Sequence, residues 1–336
     1  MVARDLPARL SALTEGRRGL ILLDRAFVNE AEFWREKLPS FEPVFAEAQG
    51  EEAKSPEEAQ KLLGEMARRK LARDDWLIVR GGGSLTDLGA FCAGLYRRGL
   101  NLILVPTTIL GAVDAAVGGK TALNFAGAKN QIGHFYLPQQ VLVDLESFKS
   151  LPQVRVAEGL AEAYKTGLLF DGELARTVGD NFNELLNPAS PGLAEVLARS
   201  CAAKAALVAQ DFREERGIRD VLNLGHTYGH VLETYHYPRL SHGLAVAAGL
   251  AVMAELSRAL GFLDPAKAAD IAATARKIGG PWPEPPPDEV AVDLLMSDKK
   301  IRAGRLRFIV LKDIERPELI ECEPAEIVRA AKKILL

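Results

Sequence analysis

Cysteine is scarce in this chain of 336 residues. Its three cysteines, Cys92, Cys201 and Cys322, lie far apart and do not form a pair with metal-binding spacing. Their odd number also argues against a framework of disulfide bonds. We therefore expect reduced thiols in a cytoplasmic protein.

Long apolar runs are also missing from the sequence. Residues 1–13 include arginine and aspartate but no apolar stretch, so we expect no secretion signal. The longest apolar run, residues 243–254, consists mostly of small residues and is too short to span a bilayer. We expect it to be a helix packed tightly inside the protein.

The sequence has no large excess of charge of either sign, since its formal net charge is −3. This balance argues against a broad nucleic-acid-binding surface, although basic residues can still cluster around a small anion. The hydrophobic content of 48% and charged content of 26% are typical of a soluble globular protein. A chain of this length can form two domains, each with its own core.

Short apolar segments alternate with helix-like segments in the first half of the chain. Strands are predicted at residues 19–24, 43–46, 76–79, 101–105 and 141–144. This alternation favours a Rossmann-like α/β domain over residues 1–152, with a parallel sheet between helices. Ligands of such sheets bind beyond the carboxyl ends of the strands.

Helix-like segments follow one another in the second half. Helices are predicted at residues 155–169, 191–209, 219–233, 243–260 and 265–277, and a small hairpin at 306–311 and 319–321. This pattern predicts a mainly α-helical domain over residues 153–336.

Three consecutive glycines, Gly81 to Gly83, follow the strand predicted at residues 76–79. They leave backbone N–H groups uncovered at the start of a helix, which suits a pyrophosphate. Ser84 and Asp87 lie in the first turn of that helix. The motif is not G-x-G-x-x-G, so an ordinary tight turn explains it equally well.

A second glycine-rich stretch contains Asp114, Lys120, Lys129 and Asn130. Residues 118–121 are similar to a P-loop but lack its upstream glycine, so we reject ATP binding. Two lysines beside Asn130 favour an anion site on a loop. The alternative is that these are solvated loop lysines.

Two groups of charged residues in the second half have open interpretations. Glu162 and Lys165 are three residues apart and share a helix face, as in many surface ion pairs. Their small and apolar neighbours instead suggest burial, and a buried carboxylate requires a metal or a fixed cation. Lys204 and Arg219 are more simply explained as solvated charges on helices.

Four of the five histidines fall in one region, and Gly225 and Gly229 each precede one of them. His226 and His230 are four residues apart on the predicted helix, so they share a face. Each glycine costs about 1 kcal/mol relative to alanine inside a helix. Their presence predicts that another part of the protein approaches this backbone closely.

The histidines predict a zinc site, because a catalytic zinc usually has three protein ligands and one open position. Spacing alone nominates His226, His230 and His242, and leaves His236 aside.

These motifs together resemble the 3-dehydroquinate synthase family of sugar-phosphate cyclases. The resemblance extends over nearly the whole chain in the family's order, at residues 81–83, 106–108, 114, 118–121, 129–130, 161–162, 165, 223–230 and 242–243. It implies an NAD-binding α/β domain, a helical domain that binds metal and substrate, an active site between them, and a homodimer.

The resemblance also implies the residues of each site. The metal, usually zinc, would be bound by Glu162, His226 and His242, whereas His230 would contact substrate and assist proton transfer. The residues implied for NAD are Gly81, Gly82, Gly83, Ser84, Asp87, Thr107, Thr108, Asp114, Lys120 and Lys129, with Asp24, Glu51 and Lys54 at the adenosine end. Those implied for substrate are Asp114, Lys120, Lys129, Asn130, Lys165, Lys204, Arg219, Asn223 and His230, with Arg98 from the neighbouring subunit and Lys299 or Lys300 closing over the anion.

The implied reaction converts 3-deoxy-D-arabino-heptulosonate 7-phosphate to 3-dehydroquinate and phosphate, in the shikimate pathway of aromatic amino acid biosynthesis. NAD⁺ takes a hydride and returns it, so no NADH accumulates. The sequence departs from the family at Leu244, where the resemblance implies glutamate. The sequence therefore does not identify which residue supports the metal ligands by hydrogen bonding.

Three alternatives remain. A related cyclase would act on sedoheptulose 7-phosphate or glucose 6-phosphate, and a polyol dehydrogenase of similar architecture would release NADH. A silent NAD-binding module would not need Glu162 and the histidines. Lys204 and Arg219 favour the dehydroquinate reaction, because a substrate carboxylate requires cations.

Overall fold

The computed structural model describes residues 2–3, 5–297, 301–302 and 305–336. The chain divides into two compact units, Met1–Leu151 and Pro152–Leu336. Within the described ranges, no helix is both long enough and apolar enough to cross a membrane.

The first unit contains a parallel sheet with helices. Its strands are β1 (Val2–Ala3), β2 (Gly19–Leu23), β3 (Phe41–Phe45), β4 (Trp76–Gly81), β5 (Asn101–Pro106), β6 (Lys120–Phe125), β7 (Ala128–Phe135), β8 (Gln140–Val141) and β9 (Val143–Asp144). Its α-helices are α1 (Leu6–Leu13), α2 (Ala31–Lys37), α3 (Pro56–Arg68) and α4 (Gly83–Leu95). The main sheet has the order β3-β2-β4-β5-β8, with all neighbours parallel.

Alternation along β2 explains why both faces of this sheet are covered. Leu20 and Leu22 belong to one buried cluster, whereas Ile21 and Leu23 belong to another. A strand buried on both faces has a nearly continuous apolar sequence, as β2 has. The parallel sheet itself was predicted from the alternation of strands and helices along the chain. The predicted α/β fold of this half is confirmed.

The loop predicted to contain the anion-binding lysines is instead an antiparallel hairpin. Lys120 is the first residue of β6, and Lys129 and Asn130 lie on β7. Thr121 and Leu123 are buried while their neighbours are more exposed, which is the two-residue period of a strand. The prediction of a loop was therefore wrong, because the glycines before Lys120 obscured this alternation.

The second unit is mainly helical, as predicted. Its helices are α5 (Gln153–Phe170), α6 (Gly172–Asp180), α7 (Phe182–Leu185), α8 (Pro191–Gln210), α9 (His226–Tyr235), α10 (His242–Ala259), α11 (Pro265–Gly279), α12 (Asp288–Met296) and α13 (Pro324–Leu335). The strands β10 (Ile301–Arg302), β11 (Arg305–Asp313) and β12 (Arg316–Cys322) form an antiparallel sheet. Most of α10 is buried, so the prediction of a tightly packed helix at 243–254 is confirmed.

The helix predicted at residues 219–233 is broken. Residues Ile218–Asn223 form a 3₁₀ helix, and α9 begins only at His226. Gly225 has φ +74°, a left-handed conformation that interrupts an α-helix and that glycine adopts without steric cost. The prediction of one continuous helix was wrong, although His226 and His230 still share the same helix.

Candidate functional site

Three imidazoles lie together in the second unit. His226 and His230 project from α9, and His242 is the first residue of α10. The ring centroid of His226 is 5.3 Å from that of His230 and 5.2 Å from that of His242. The shared face expected for His226 and His230 is therefore observed, and α10 adds the third ring. His236 lies apart and contacts the carbonyl of Glu284 through Nε2 at 2.8 Å.

Glu162 of α5 joins this cluster and approaches two of the three rings. Its Oε1 lies 3.3 Å from Nε2 of His226 and 3.5 Å from Nε2 of His242. The same Oε1 is buried and forms no hydrogen bond within the described part of the chain. A buried carboxylate oxygen without such a bond requires an explanation, and a cation between the three side chains supplies one.

The donor set fits a divalent metal. One ligand atom from each of Glu162, His226 and His242 lies within 4.8 Å of the other two. One carboxylate and two imidazoles are a usual three-ligand set for catalytic zinc, which keeps a further position open. The residues implied by the resemblance therefore meet in space. The set nominated by spacing differs in one member, because His230 groups instead with Glu233 and His242.

The electrostatics of this cluster depend on burial and on Lys165. Burial would raise the pKa of Glu162, but Lys165, with Nζ 2.5 Å from Oε2, and the imidazoles hold that pKa well below its usual range. Burial, reinforced by Lys165, lowers the pKa of His226 to about 4. Burial opposes protonation of His242, yet Glu162 and Glu233 raise its pKa to about 10. A proton on His242 thus compensates the two carboxylates, and a metal ion would have to displace it.

The second ring nitrogen of each facing histidine has its own partner. Nδ1 of His226 lies 3.1 Å from the carbonyl oxygen of Leu224. Nδ1 of His242 lies 2.9 Å from Oε2 of Glu233. Glu233 carries no signal of its own in the sequence, although it is three residues after His230 and therefore near it on α9.

Glycines bring α5, α9 and α10 close enough for these contacts. A Cβ at Gly249 of α10 would lie 1.9 Å from the carbonyl oxygen of Gly225, and one at Gly243 would lie 2.4 Å from that of Glu158 in α5. A Cβ at Gly229 would lie 3.0 Å from the carbonyl oxygen of Ala245. The predicted close approach to Gly225 and Gly229 is therefore made by α10.

The triple glycine of the first unit lies where β4 ends and α4 begins. A Cβ at Gly81 would lie 2.4 Å from Cδ2 of Leu85, so packing alone requires glycine there. At Gly82, the residue before α4, the nearest atom to an added Cβ would be Cγ2 of Thr108 at 3.6 Å. Space is therefore left over the start of the helix, where backbone N–H groups attract anions.

Thr107 and Thr108 lie beside this turn, as the resemblance implies. The backbone N–H of Thr107 donates to the carbonyl oxygen of Gly81 at 2.9 Å. Oγ1 of Thr108 accepts from the N–H of Gly111 at 3.0 Å.

A polar network connects the start of α4 with the hairpin. Nζ of Lys54 lies 2.7 Å from Oδ2 of Asp87 and 2.5 Å from Oδ1 of Asn130. Glu51 accepts from Oγ of Ser84 at 3.0 Å and from Nδ2 of Asn124 at 2.9 Å. Five of the residues predicted for cofactor or substrate thus belong to one network. Asn124 was missed, because nothing in its local sequence marks it.

Asp87 is the titratable centre of this network. Burial raises its pKa to about 6 against the lowering effect of Lys54, and the carboxylates of Asp114 and Glu51 add to the rise. An ionised Asp87 is therefore costly unless Lys54 remains beside it.

The other predicted residues of the first unit lie in four places. Asp24 follows β2, accepts from the N–H of Ala26 at 3.0 Å, and donates its own N–H to the carbonyl oxygen of Arg80 at 3.2 Å. Asp114 lies in the π-helical turn Gly111–Ala115. Lys120, Lys129 and Arg98 are exposed, and Arg98 has φ +64°.

Lys204 and Arg219 are buried, not solvated as their local sequence suggested. Arg219 donates from Nη1 to the carbonyl oxygen of Phe212 at 2.9 Å, and its Nε lies 3.3 Å from Oε1 of Glu214. Nδ2 of Asn223 donates to the carbonyl oxygen of Asp220 at 3.1 Å. Lys299 and Lys300 lie outside the described residues.

Comparisons with known proteins identify relatives over most of the chain. The family described as 3-dehydroquinate synthase N-terminal matches residues 44–158, and 3-dehydroquinate synthase C-terminal matches residues 159–301. The 3-dehydroquinate synthase of Pseudomonas entomophila (strain L48) is 39% identical over 287 residues, which cover 84% of this chain and 78% of the relative.

Solved structures share the fold. A 2-epi-5-epi-valiolone synthase from Streptomyces hygroscopicus subsp. jinggangensis 5008, with NAD⁺ and Zn²⁺ bound, is 26% identical with a TM-score of 0.88. A 2-deoxy-scyllo-inosose synthase complexed with carbaglucose-6-phosphate, NAD⁺ and Co²⁺ is 21% identical with the same TM-score, 0.88. Each alignment covers 99% of this chain and 95% of the other. The two family matches and the 39% identical relative show that the chain belongs to the 3-dehydroquinate synthase family.

Proposed function

We propose that this protein converts 3-deoxy-D-arabino-heptulosonate 7-phosphate to 3-dehydroquinate and phosphate, with NAD⁺ and one divalent metal, zinc, as cofactors. The observation that carries the proposal is the convergence of Glu162, His226 and His242, in a chain of this family, around a buried carboxylate oxygen that has no hydrogen-bond partner among the residues the structure describes. The valiolone synthase has the same fold, and its structure contains NAD⁺ and Zn²⁺, which supports the cofactor assignment.

Glu162, His226 and His242 would hold the metal. When bound there, zinc would supply Lewis-acid polarisation of a substrate hydroxyl. Lys165 keeps Glu162 ionised, and burial keeps His226 neutral, so both are in the protonation states that a ligand requires. His230 lies beside the ligands, and we assign to it contact with substrate and assistance in proton transfer.

The remaining cations are assigned to the two acidic groups of the substrate. Buried Lys204 and Arg219 would bind the carboxylate, since a charge-assisted hydrogen bond strengthens away from water. Lys120, Lys129 and Asn130 of the hairpin, together with Lys299 or Lys300, would hold the phosphate, and Asp114 and Asn223 would orient hydroxyl groups. Contacts of this kind would hold the substrate in a fixed orientation relative to the catalytic groups, which lowers the entropic part of the barrier.

The first unit would bind NAD⁺ with its pyrophosphate at Gly82. We expect Gly82→Ala to fold normally, because an added Cβ has its nearest neighbour at 3.6 Å. The methyl group would occupy the space over the helix start, so the affinity for NAD⁺ should fall about tenfold, equivalent to about 1.4 kcal/mol. Titration calorimetry with NAD⁺ and a thermal melt without it measure both effects. An unchanged affinity for NAD⁺ would show that the pyrophosphate does not bind at Gly82.

The rest of the dinucleotide would follow the polar network. Ser84, Asp87, Thr107 and Thr108 are assigned to the pyrophosphate and nicotinamide side, and Asp24, Glu51 and Lys54 to the adenosine end. Lys54 also contacts Asp87 and Asn130, so its charge connects the cofactor residues with the hairpin.

The reaction itself is tested with the heptulosonate phosphate, NAD⁺ and zinc. We expect phosphate release in a one-to-one ratio with a product of the mass of 3-dehydroquinate, and no accumulation of NADH absorbance at 340 nm, because the cofactor returns its hydride. Sedoheptulose 7-phosphate and glucose 6-phosphate serve as alternative substrates. Stoichiometric NADH would instead identify a polyol dehydrogenase, and faster turnover of either alternative substrate would identify a different cyclase.

We also propose a cytoplasmic homodimer in which Arg98 reaches the site of the neighbouring subunit. Arg98 is exposed in the 3₁₀ turn Tyr96–Arg98 that follows α4, and Phe125, Ile132 and Phe135 of the hairpin present apolar side chains to the surface. Exposed apolar surface of this kind is typical of protein–protein contacts.

A further inference from the structure

The contact between Glu233 and His242 has no role in the mechanism above. Oε2 of Glu233 lies 2.9 Å from Nδ1 of His242, while Nε2 of the same ring faces Glu162 at 3.5 Å. The two ring nitrogens of His242 thus have different carboxylate partners. Glu233 is on α9 and Glu162 is on α5, so the ring is held from two helices.

We propose that Glu233 is a positioning residue that orients His242 for metal binding and fixes its tautomer, with the proton on Nδ1 and the lone pair on Nε2. This inference rests on the metal site proposed above. A histidine that binds a metal usually donates its other N–H to a carboxylate or carbonyl group, which sets the ring orientation and makes the ligand more basic. Glu233 is well placed for this function because its side chain is only 16% exposed and has little competition from water.

The geometry also offers a second role for Glu233, as a metal ligand. His230, Glu233 and His242 each have one ligand atom within 4.8 Å of the other two, so they form a second group with metal-ligand spacing. In the positioning role, however, Nδ1 of His242 carries a proton and cannot bind a second ion. The two roles therefore predict different numbers of bound metal ions.

The test measures zinc binding by the metal-free protein, by competition with a chromophoric chelator, and does not depend on turnover. For Glu233→Ala we expect one zinc per chain, bound about 10- to 100-fold more weakly than in the unaltered protein. Glu233→Gln keeps an acceptor oxygen but loses the charge. Its affinity for zinc should therefore lie between that of Glu233→Ala and that of the unaltered protein. Glu289→Ala removes an exposed carboxylate from α12 and should bind zinc like the unaltered protein.

Cobalt provides a second readout, because its visible spectrum reports the geometry of the ligands. We expect the Co²⁺ bands of Glu233→Ala to shift relative to those of the unaltered protein, while those of Glu289→Ala stay unchanged. Thermal melts of the metal-free proteins test whether Glu233→Ala and Glu289→Ala are folded. If Glu233→Ala is not folded, the zinc affinity of Glu233→Gln tests the positioning role instead.

Three results would overturn the inference. Equal zinc affinity in Glu233→Ala and the unaltered protein would leave Glu233 without a positioning role. Two zinc ions in the unaltered protein and one in Glu233→Ala would make Glu233 a ligand of a second ion. Failure of the unaltered protein to bind zinc would overturn the metal site itself, and with it this inference.

Discussion

Replacing His242 with alanine is expected to leave the protein folded but unable to retain a divalent metal through dialysis. The variant removes one of the three side chains that meet at Oε1 of Glu162. Loss of an outer partner of a ligand typically costs 10- to 100-fold in metal affinity. Loss of the ligand itself should cost more, so we expect a fall of at least about 100-fold in zinc affinity. Formation of 3-dehydroquinate should fall by at least the same factor.

Elemental analysis after dialysis measures the retained metal, and His236→Ala is the matched control. His236 lies in the same region, but its Nε2 contacts the carbonyl oxygen of Glu284 and not the cluster. The control should retain one zinc per chain. A full equivalent of zinc in His242→Ala would exclude His242 from the ligand set.

Gly249→Ala is expected to have the largest effect on stability, although it adds only one methyl group. The new Cβ would lie 1.9 Å from the carbonyl oxygen of Gly225 and 2.9 Å from the backbone nitrogen of Gly229. These are backbone atoms, so relief requires α9 and α10 to move apart. Insertion of a methyl group into a close-packed core typically costs 1–3 kcal/mol, and this contact should cost about 3 kcal/mol.

For a unit of this size, that loss corresponds to a fall in Tm of about 6–12 °C. Separation of the helices would also move His226 away from His242, so zinc affinity should fall in the variant. Gly64→Ala on α3 is the control, because an added Cβ there has no neighbour within 4 Å among the described residues. Alanine at that helical position should stabilise by up to about 1 kcal/mol. An unchanged Tm for Gly249→Ala would mean that the two helices do not depend on their glycine contact.

Local periodicity was sufficient to predict most of the fold. The buried strands β2, β4 and β5 were predicted from continuous apolar runs, and α10 from its run of small residues. The common face of His226 and His230 also follows from spacing, because a helix repeats every 3.6 residues regardless of its surroundings.

Local patterns failed where a distant part of the chain determines the conformation. The helix predicted at residues 219–233 breaks at Gly225, whose left-handed backbone is packed against Gly249 and Leu250 of α10. The hairpin of β6 and β7 was missed for a different and local reason, because the glycines before Lys120 obscured the alternation of buried and exposed residues along β6.

The composition of the metal site lay beyond local reasoning as well. Spacing alone chose His230 as the third member, whereas Glu162 follows only from the family resemblance or from the structure. Glu162 lies far from the histidines in sequence, and no period within one element connects α5 with α9 and α10. The angles and distances at which those helices cross are set by backbone contacts at Gly225, Gly229, Gly243 and Gly249. These contacts decide which side chains meet, because a helix fixes the direction of its own residues but not the position of its neighbours.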